Sequence, residues 1–275
     1  MADFLLDQEA NLLGYGLLGS ALLFALIESI RPARDLTHSA VKRWIQNVVL
    51  LLLDNAIIRW IFPLLIVAWS IKVNALGWGV FTALDFPYLP VVLLSILMLD
   101  LAIYLQHRLM HSMSWLWRVH RVHHSDQDYD ISTGVRFHPL EAIITQGMKM
   151  IMLAILGVPA EAVVLHEFLF IFTTFFVHAN IELPKSIDRS MRWILVTPNM
   201  HRLHHSTDFH ESNSNFGNTF TFWDRWFSSY CAQASCPVKE MSIGLPDQQG
   251  KLHGIWYLLR MPFMRRVSLM KSTGD

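Results

Sequence analysis

Apolar residues run through the first 110 positions in three stretches, at about 11–30, 44–71 and 88–106, each long enough to cross a bilayer core, which takes about twenty mostly apolar residues. Polar punctuation between them is sparse. The first stretch ends in ALIESIRPAR, where Pro32 closes a helix and Arg31 and Arg34 open a basic loop that continues through Lys42 and Arg43. By the bias of Lys and Arg towards the inner face, that loop is expected to be cytoplasmic. The second stretch carries Asp54, Asn55 and Arg59, so it either buries a polar face against protein or bends at Pro63 and runs along the interface. Residues 72–88 are poor in Lys and Arg, which places them outside and returns the third span to the cytoplasmic face at QHRLMH. Further on, AIITQGMKMIMLAILG and AVVLHEFLFIFTTFFVHANI are separated only by VPAE and read as a helical hairpin. FLFIFTTFF is read as lipid-facing helix in preference to the wall of a substrate tunnel, and Trp115 and Trp117 as candidate interface anchors.

From Glu182 the pattern turns mixed and charged and predicts a cap; residues 254–271, basic and amphipathic, fit either a surface-lying or a packed terminal helix. The expectation is an all-α integral membrane protein: four to five transmembrane or re-entrant helices, with a cytoplasmic helical cap carrying a histidine-rich dimetal site. Three regions follow, namely N-terminal membrane helices over 1–95, a histidine-bearing catalytic region over 96–230 and an interfacial tail over 231–275. An inner or plasma membrane is expected in a bacterium, the endoplasmic reticulum in a eukaryote.

Composition agrees, with 53% hydrophobic residues and a mean hydropathy of +0.34 over 275 residues. The formal net charge of zero excludes a basic field for nucleic acid. Cys231 and Cys236 form neither a CxxC pair nor a disulfide framework. Asp3, Asp7 and Glu9 stand where a secretory signal would carry positive charge.

The candidate chemistry lies in the histidines. Eight of 14 fall into compact groups: His107 and His111; His120, His123 and His124; His201, His204 and His205. Spacings of three and four put such side chains on one helix face, and HRVHH and HRLHH are near-copies of each other. Packed imidazoles that became protonated would repel one another, whereas neutral ones are good ligands, and eight suit two ions better than one. His138 and His178, isolated in sequence, are added because both flank the apolar hairpin. His38, His166, His210 and His253 have no such placement. Asp100 and Tyr104 share a helix face with His107 and His111 and are candidates for orienting a ligand imidazole; Glu141, Asn180 and Asp208, near other candidate ligands, are further candidates.

HRLMH, HRVHH, HPLE, HAN, HRLHH and NFGNTFTFWDRWF, in this order between about Asp100 and Phe227, resemble the fatty acid hydroxylase/sterol desaturase superfamily of membrane di-iron oxygenases. The resemblance implies two histidine-bound irons and O2 as co-substrate; imidazole sites accept zinc as well, so zinc is an expected substitute in purified samples. It further implies a lipid substrate (acyl chain, sterol or ether lipid) and electrons from a separate cytochrome-b5-like or ferredoxin-type protein. Carried onto this chain, the family's boxes fall on the eight grouped histidines, with His138 and His178 at supplementary positions. The family's frequent Gly-Thr after Trp-Asp-Arg is Ser228-Ser229 here. Hydroxylation of an unactivated C–H bond is the expected reaction, desaturation its close alternative. From a different class, a membrane metal-binding or transport protein would need ligands along a path open to both faces. A zinc hydrolase would want a motif such as HExxH, which the sequence lacks.

Overall fold

A computed structural model describes residues 2–84 and 86–264. Within them the chain is helical, with isolated β-bridges only. Its long elements are α1 (Ala2–Ile30), α2 (Ala40–Ile61), the shorter α3 (Ile66–Ala75) and α4 (Val80–Ala83), and then α5 (Tyr88–Ser112). α6 (Ser114–His124) leads through a short 3-10 turn (Ile131–Val135) to α7 (Pro139–Leu156) and α8 (Ala160–His178). The cap is built from short helices: α9 (Lys185–Met191), α10 (Pro198–His204), α11 (Phe209–Ser212), α12 (Phe222–Trp226) and α13 (Ile255–Arg260).

Five segments are long and apolar enough to cross a membrane: Asn11–Ile30, Ala40–Ala83, Tyr88–Ser112, Pro139–Leu156 and Ala160–His178. The second is broken where Pro63 follows α2, so α2 alone, at about 33 Å for its length, supplies the crossing. Of its three polar residues only Asp54 is buried, and Asn55 and Arg59 are exposed, so the stretch buries one polar group and also breaks at Pro63.

The hairpin is set by local chemistry. His138 caps α7, Pro139 opens it, and Gly157 ends it in the left-handed conformation at φ +72°. The turn is then clamped, since Ser70 Oγ and Asn74 Nδ2 of α3 both donate to the Val158 carbonyl, at 2.6 and 2.8 Å. Gly79, at φ +106°, lies so close that an added Cβ would stand 2.1 Å from the Gly157 nitrogen. Gly79→Ala is therefore expected to cost at least about 2 kcal/mol, combining backbone strain with overpacking, and to lower the thermal midpoint in detergent.

At the opposite end the helix termini meet the cap. Glu28, near the end of α1, accepts from the backbone of Ile131 and Asn180. Arg43, in the first turns of α2, donates to Asp126, Asp130 and the Asp128 carbonyl. Two residues of the basic loop are turned inward: Arg43 is fully buried, and Arg34 donates from inside the protein to the Met241 carbonyl. Residues 255–263 pack as a terminal helix, with Leu258 and Met261 against Leu50, Trp117 and Val122. The remainder of the predicted 254–271 helix lies outside the described residues.

Candidate metal centre

α5 and α8 both end at the cap, and each brings histidines to its last two turns, His107 and His111 on one and His178 on the other. α6 is short and strongly one-sided and turns His120, His123 and His124 inward, while α10, opened by Pro198, does the same with His201 and His204, and His205 follows at its end. The outcome is two adjoining groups. His107, His111, His120, His124 and His204 form one and His123, His178, His201 and His205 the other; within each, one ring nitrogen per residue lies within 4.8 Å of all the rest. The groups share a wall, with His124 and His205 stacked at 4.4 Å between centroids.

Hydrogen bonds on the far side of the rings set their protonation. A carbonyl or carboxylate oxygen only accepts, so the nitrogen facing it carries the proton. His107 Nδ1 thus donates to the Phe216 carbonyl (2.7 Å), His204 Nδ1 to that of Ser214 (2.8 Å), His178 Nδ1 to that of Thr174 (2.7 Å) and His120 Nδ1 to Glu141 Oε1 (2.7 Å). In each neutral ring the Nε2 lone pair points into the cluster. Nε2 of His107, His111, His120, His124 and His204, all buried, has no hydrogen-bond partner. In the second group His178 Nε2 stands 3.3 Å from His123 Nε2 and 3.1 Å from His201 Nε2. Nitrogens about 2.1 Å from a common ion would be separated by ~3.0 Å at a right angle and ~3.4 Å at the tetrahedral angle, so these spacings fit edges of a coordination shell. The donor set fits transition-metal ions: neutral imidazoles, inward lone pairs and orphaned buried nitrogens.

Burial, and then neighbouring imidazoles, hold His123, His124, His201 and His205 well below the ordinary histidine range, while burial and His120 bring His204 down to about 3. The sign follows. Below about pH 6.5 the unfolded chain takes up protons that the folded cluster refuses, so stability is complete above that pH and is lost as pH falls towards about 3. Metal-stripped protein is expected to show a thermal midpoint that is level above about pH 6.5 and drops steeply from there to about pH 5, and loaded protein to release metal over the same range. A flat profile would contradict the clustering.

Nine of the ten histidines singled out from sequence are brought together. His138 is placed elsewhere: its Nδ1 accepts from the Leu140 backbone N–H as the cap of α7, and its Nε2 lies 3.2 Å from the Leu259 carbonyl. Among the five residues expected to orient ligands, Glu141 meets one. Asp100 does not, because it stands seven residues before His107, about 10 Å along the helix, and it accepts instead from Trp223 Nε1 at 2.8 Å. Tyr104 pairs with Ser229 Oγ, Asn180 with the Arg34 backbone, and Asp208 caps α11.

Sequence reasoning missed the carbonyl acceptors, which no residue type reveals. It did quote the segment that holds one of them. Asp224 accepts from the backbone N–H of Phe216 and Gly217 and from Ser229 Oγ, so NFG and WDR form one clasp that aims the Phe216 carbonyl at His107. Ser228 sits in the left-handed region at φ +58°, which accounts for a glycine there in the related pattern.

Beneath the rings a cavity of about 350 Å³ opens between the helices, lined by Ile58, Ile103 and Phe170 among others and reaching His107, His120, His123, His178 and His201.

Spanning helices closed at one end by nine converging imidazoles define a polytopic membrane protein with a histidine-built candidate metal centre. The fatty acid hydroxylase family profile matches residues 92–229, half of the sequence, and the chain belongs to that family. Ornithine lipid hydroxylase OlsE of Rhizobium tropici is 29% identical over 178 residues, 64% of this chain and 51% of that one. Alkylglycerol monooxygenase of Xenopus tropicalis is 28% identical over 137 residues (50% and 30%), and that of Homo sapiens 29% over 134 residues (49% and 29%). The chain thus spans about half or less of the length of these curated relatives. No solved structure matches.

Proposed function

We propose that the chain is a membrane lipid hydroxylase that uses two iron ions, O2 and electrons from a separate protein to hydroxylate an unactivated C–H bond. The observation that carries this reading is the opening of an apolar cavity onto both imidazole groups. His107, His111, His120, His124 and His204 would hold one ion and His123, His178, His201 and His205 the other. When bound, such a pair supplies the oxygen-activating redox chemistry that side chains lack. The protein's share is positional. Phe216, Ser214 and Thr174 carbonyls and Glu141 fix the rings with lone pairs inward, and the apolar wall seats a hydrocarbon segment while keeping bulk water away. The relatives, named as lipid hydroxylase and monooxygenases, support the same chemistry here. A site at the helix ends suits a substrate entering from the bilayer and a reductase docking on a cytoplasmic cap, in a plasma or endoplasmic-reticulum membrane.

Desaturation begins with the same hydrogen abstraction and is the neighbouring reading. Transport is disfavoured because the nine imidazoles gather at one end of the bundle instead of along a path through it.

The test is the purified full chain in lipid nanodiscs, loaded with iron and supplied with reductant under 18O2. About two metal ions per chain and one 18O atom in the lipid product are expected. A single metal per chain, or product oxygen drawn from water, would overturn the reading. Lipids lacking one hydroxyl in a deletion strain would then identify the substrate.

A further inference from the structure

The cavity that reaches the histidines is apolar along most of its wall, yet one band of it is polar in a one-sided way. On α2, Leu51, Asp54, Asn55 and Ile58 recur at helical spacing and face the cavity as one stripe. Across from them stand Gln106 of α5 and Glu141 and Thr145 of α7. Three of these residues point buried acceptor oxygens with no hydrogen-bond partner in the chain: Asp54 Oδ1, Gln106 Oε1 and Glu141 Oε2. Asp54 is only 7% exposed and lies in a spanning segment. Among the described residues lining the cavity there is no lysine or arginine.

Such an arrangement is costly unless something supplies donors. A buried acceptor without a partner loses its hydration and gains nothing, and an acid inside a membrane span without a counter-ion is rarer still. Two of the neighbouring donors are already engaged. Gln106 spends its Nε2 on Thr145 Oγ1, at 2.5 Å, and Asn55 spends its Nδ2 on the Leu51 carbonyl, at 2.8 Å. What is left facing the cavity is three unpartnered acceptor oxygens beside the Thr145 hydroxyl and the Gln146 amide, a band rich in acceptors that favours N–H and O–H groups over phosphate or carboxylate.

We infer that Asp54, with Gln106 and Glu141, forms a recognition band for a lipid carrying an ammonium or hydroxyl group close to the carbon that is oxidised, and that it excludes anionic head groups from the cavity. This rests on the hydroxylase reading for the word oxidised; the selectivity of the cavity stands by itself. Position follows from the helix. Thr145, bonded to Gln106, lies one turn beyond Glu141, which touches His120, so the band runs from the imidazoles at Glu141 to about one helical turn, ~6 Å, away at Thr145. A donor group held there keeps the carbons a few bonds away nearest the metal groups. Asp54 is a specificity residue in this account and touches substrate, not metal.

The experiment uses the full, metal-loaded chain in phosphatidylcholine nanodiscs, titrated with three C16 probes, hexadecylamine, hexadecan-1-ol and hexadecanoate, with one-to-one binding followed by native mass spectrometry. The amine and alcohol are expected to half-saturate at least about tenfold below hexadecanoate. Tighter binding of the amine than the alcohol assigns an ammonium group, parity a neutral hydroxyl. Asp54→Leu is expected to weaken the amine at least about tenfold and abolish its advantage over hexadecanoate. Equal or tighter binding of hexadecanoate by the unaltered chain overturns the inference whether or not the variant folds; so does a preference that survives in Asp54→Leu. Metal content read in the same spectra separates the two claims. Two metals with no head-group preference removes the recognition band and leaves the hydroxylase reading, whereas preference with one metal does the reverse.

Discussion

His123→Ala is expected to lower lipid turnover by more than about 100-fold and to make the metal of the second group removable by a mild chelator wash, with insertion into the membrane unchanged. His123 belongs to the group of four, so its loss leaves three imidazoles there, and its Nε2 is one of those 3.3 Å or less from a neighbouring Nε2. Replacing only an outer partner of a ligand typically costs 10–100-fold in affinity or activity, so losing the imidazole itself should exceed that range. Insertion depends on the apolar spans, none of which contains His123. His138→Ala provides the contrast. It removes a helix cap worth about 1 kcal/mol, and metal content should stay at about two per chain because neither ring nitrogen faces the groups. Equal metal loss in both variants would place His138 in the centre after all; full activity in His123→Ala would sink the assignment.

The two isolated histidines show where sequence reading runs out. His138 and His178 carry the same signal, a lone imidazole beside an apolar run, and they end in different places. His178 closes α8, and its ring is tied by Nδ1 to Thr174 one turn back, which directs Nε2 at His123 and His201. His138 opens α7, where the free N–H of Leu140 claims its Nδ1. Local capping decides between them, and capping depends on a helix boundary that periodicity locates only to a few residues. The grouped histidines escape this because three- and four-residue spacing fixes their common face whatever the boundary. Asp100 shows the opposite failure: it shares a face with His107 but sits two turns away, and in that space α12 inserts Trp223. The spans and the Pro63 break were legible because bilayer thickness and the missing proline N–H act locally. The acceptor band around Asp54 was visible only as a polar face on α2, since what faces it comes from α5 and α7.

Arg43→Met should be the most damaging single change away from the histidines, at about 3–5 kcal/mol, the usual cost of removing one member of a buried ion pair. The guanidinium donates through Nε and Nη2 to both oxygens of Asp126 and through Nη1 to Asp130, and Nη2 also reaches the Asp128 carbonyl. Both carboxylates are almost fully buried. Although burial pushes the other way, Arg43 brings the Asp126 carboxyl down to about 2, so that acid is charged at any physiological pH and would be left facing Asp130 without a cation of its own. Arg136 lies near but is engaged with the Val122 carbonyl, Asn47 and Ser125. The damage should also reach the centre, because Asp126 follows His124 by two residues and α2 is the anchor to which this loop is tied. A triple variant, Arg43→Met with Asp126→Asn and Asp130→Asn, removes the stranded charges together with the cation and is expected to recover part of the lost stability in detergent melts. If the single variant melted with the parent, or the triple variant melted below the single one, the ion-pair account of how α2 holds the histidine loop would be wrong.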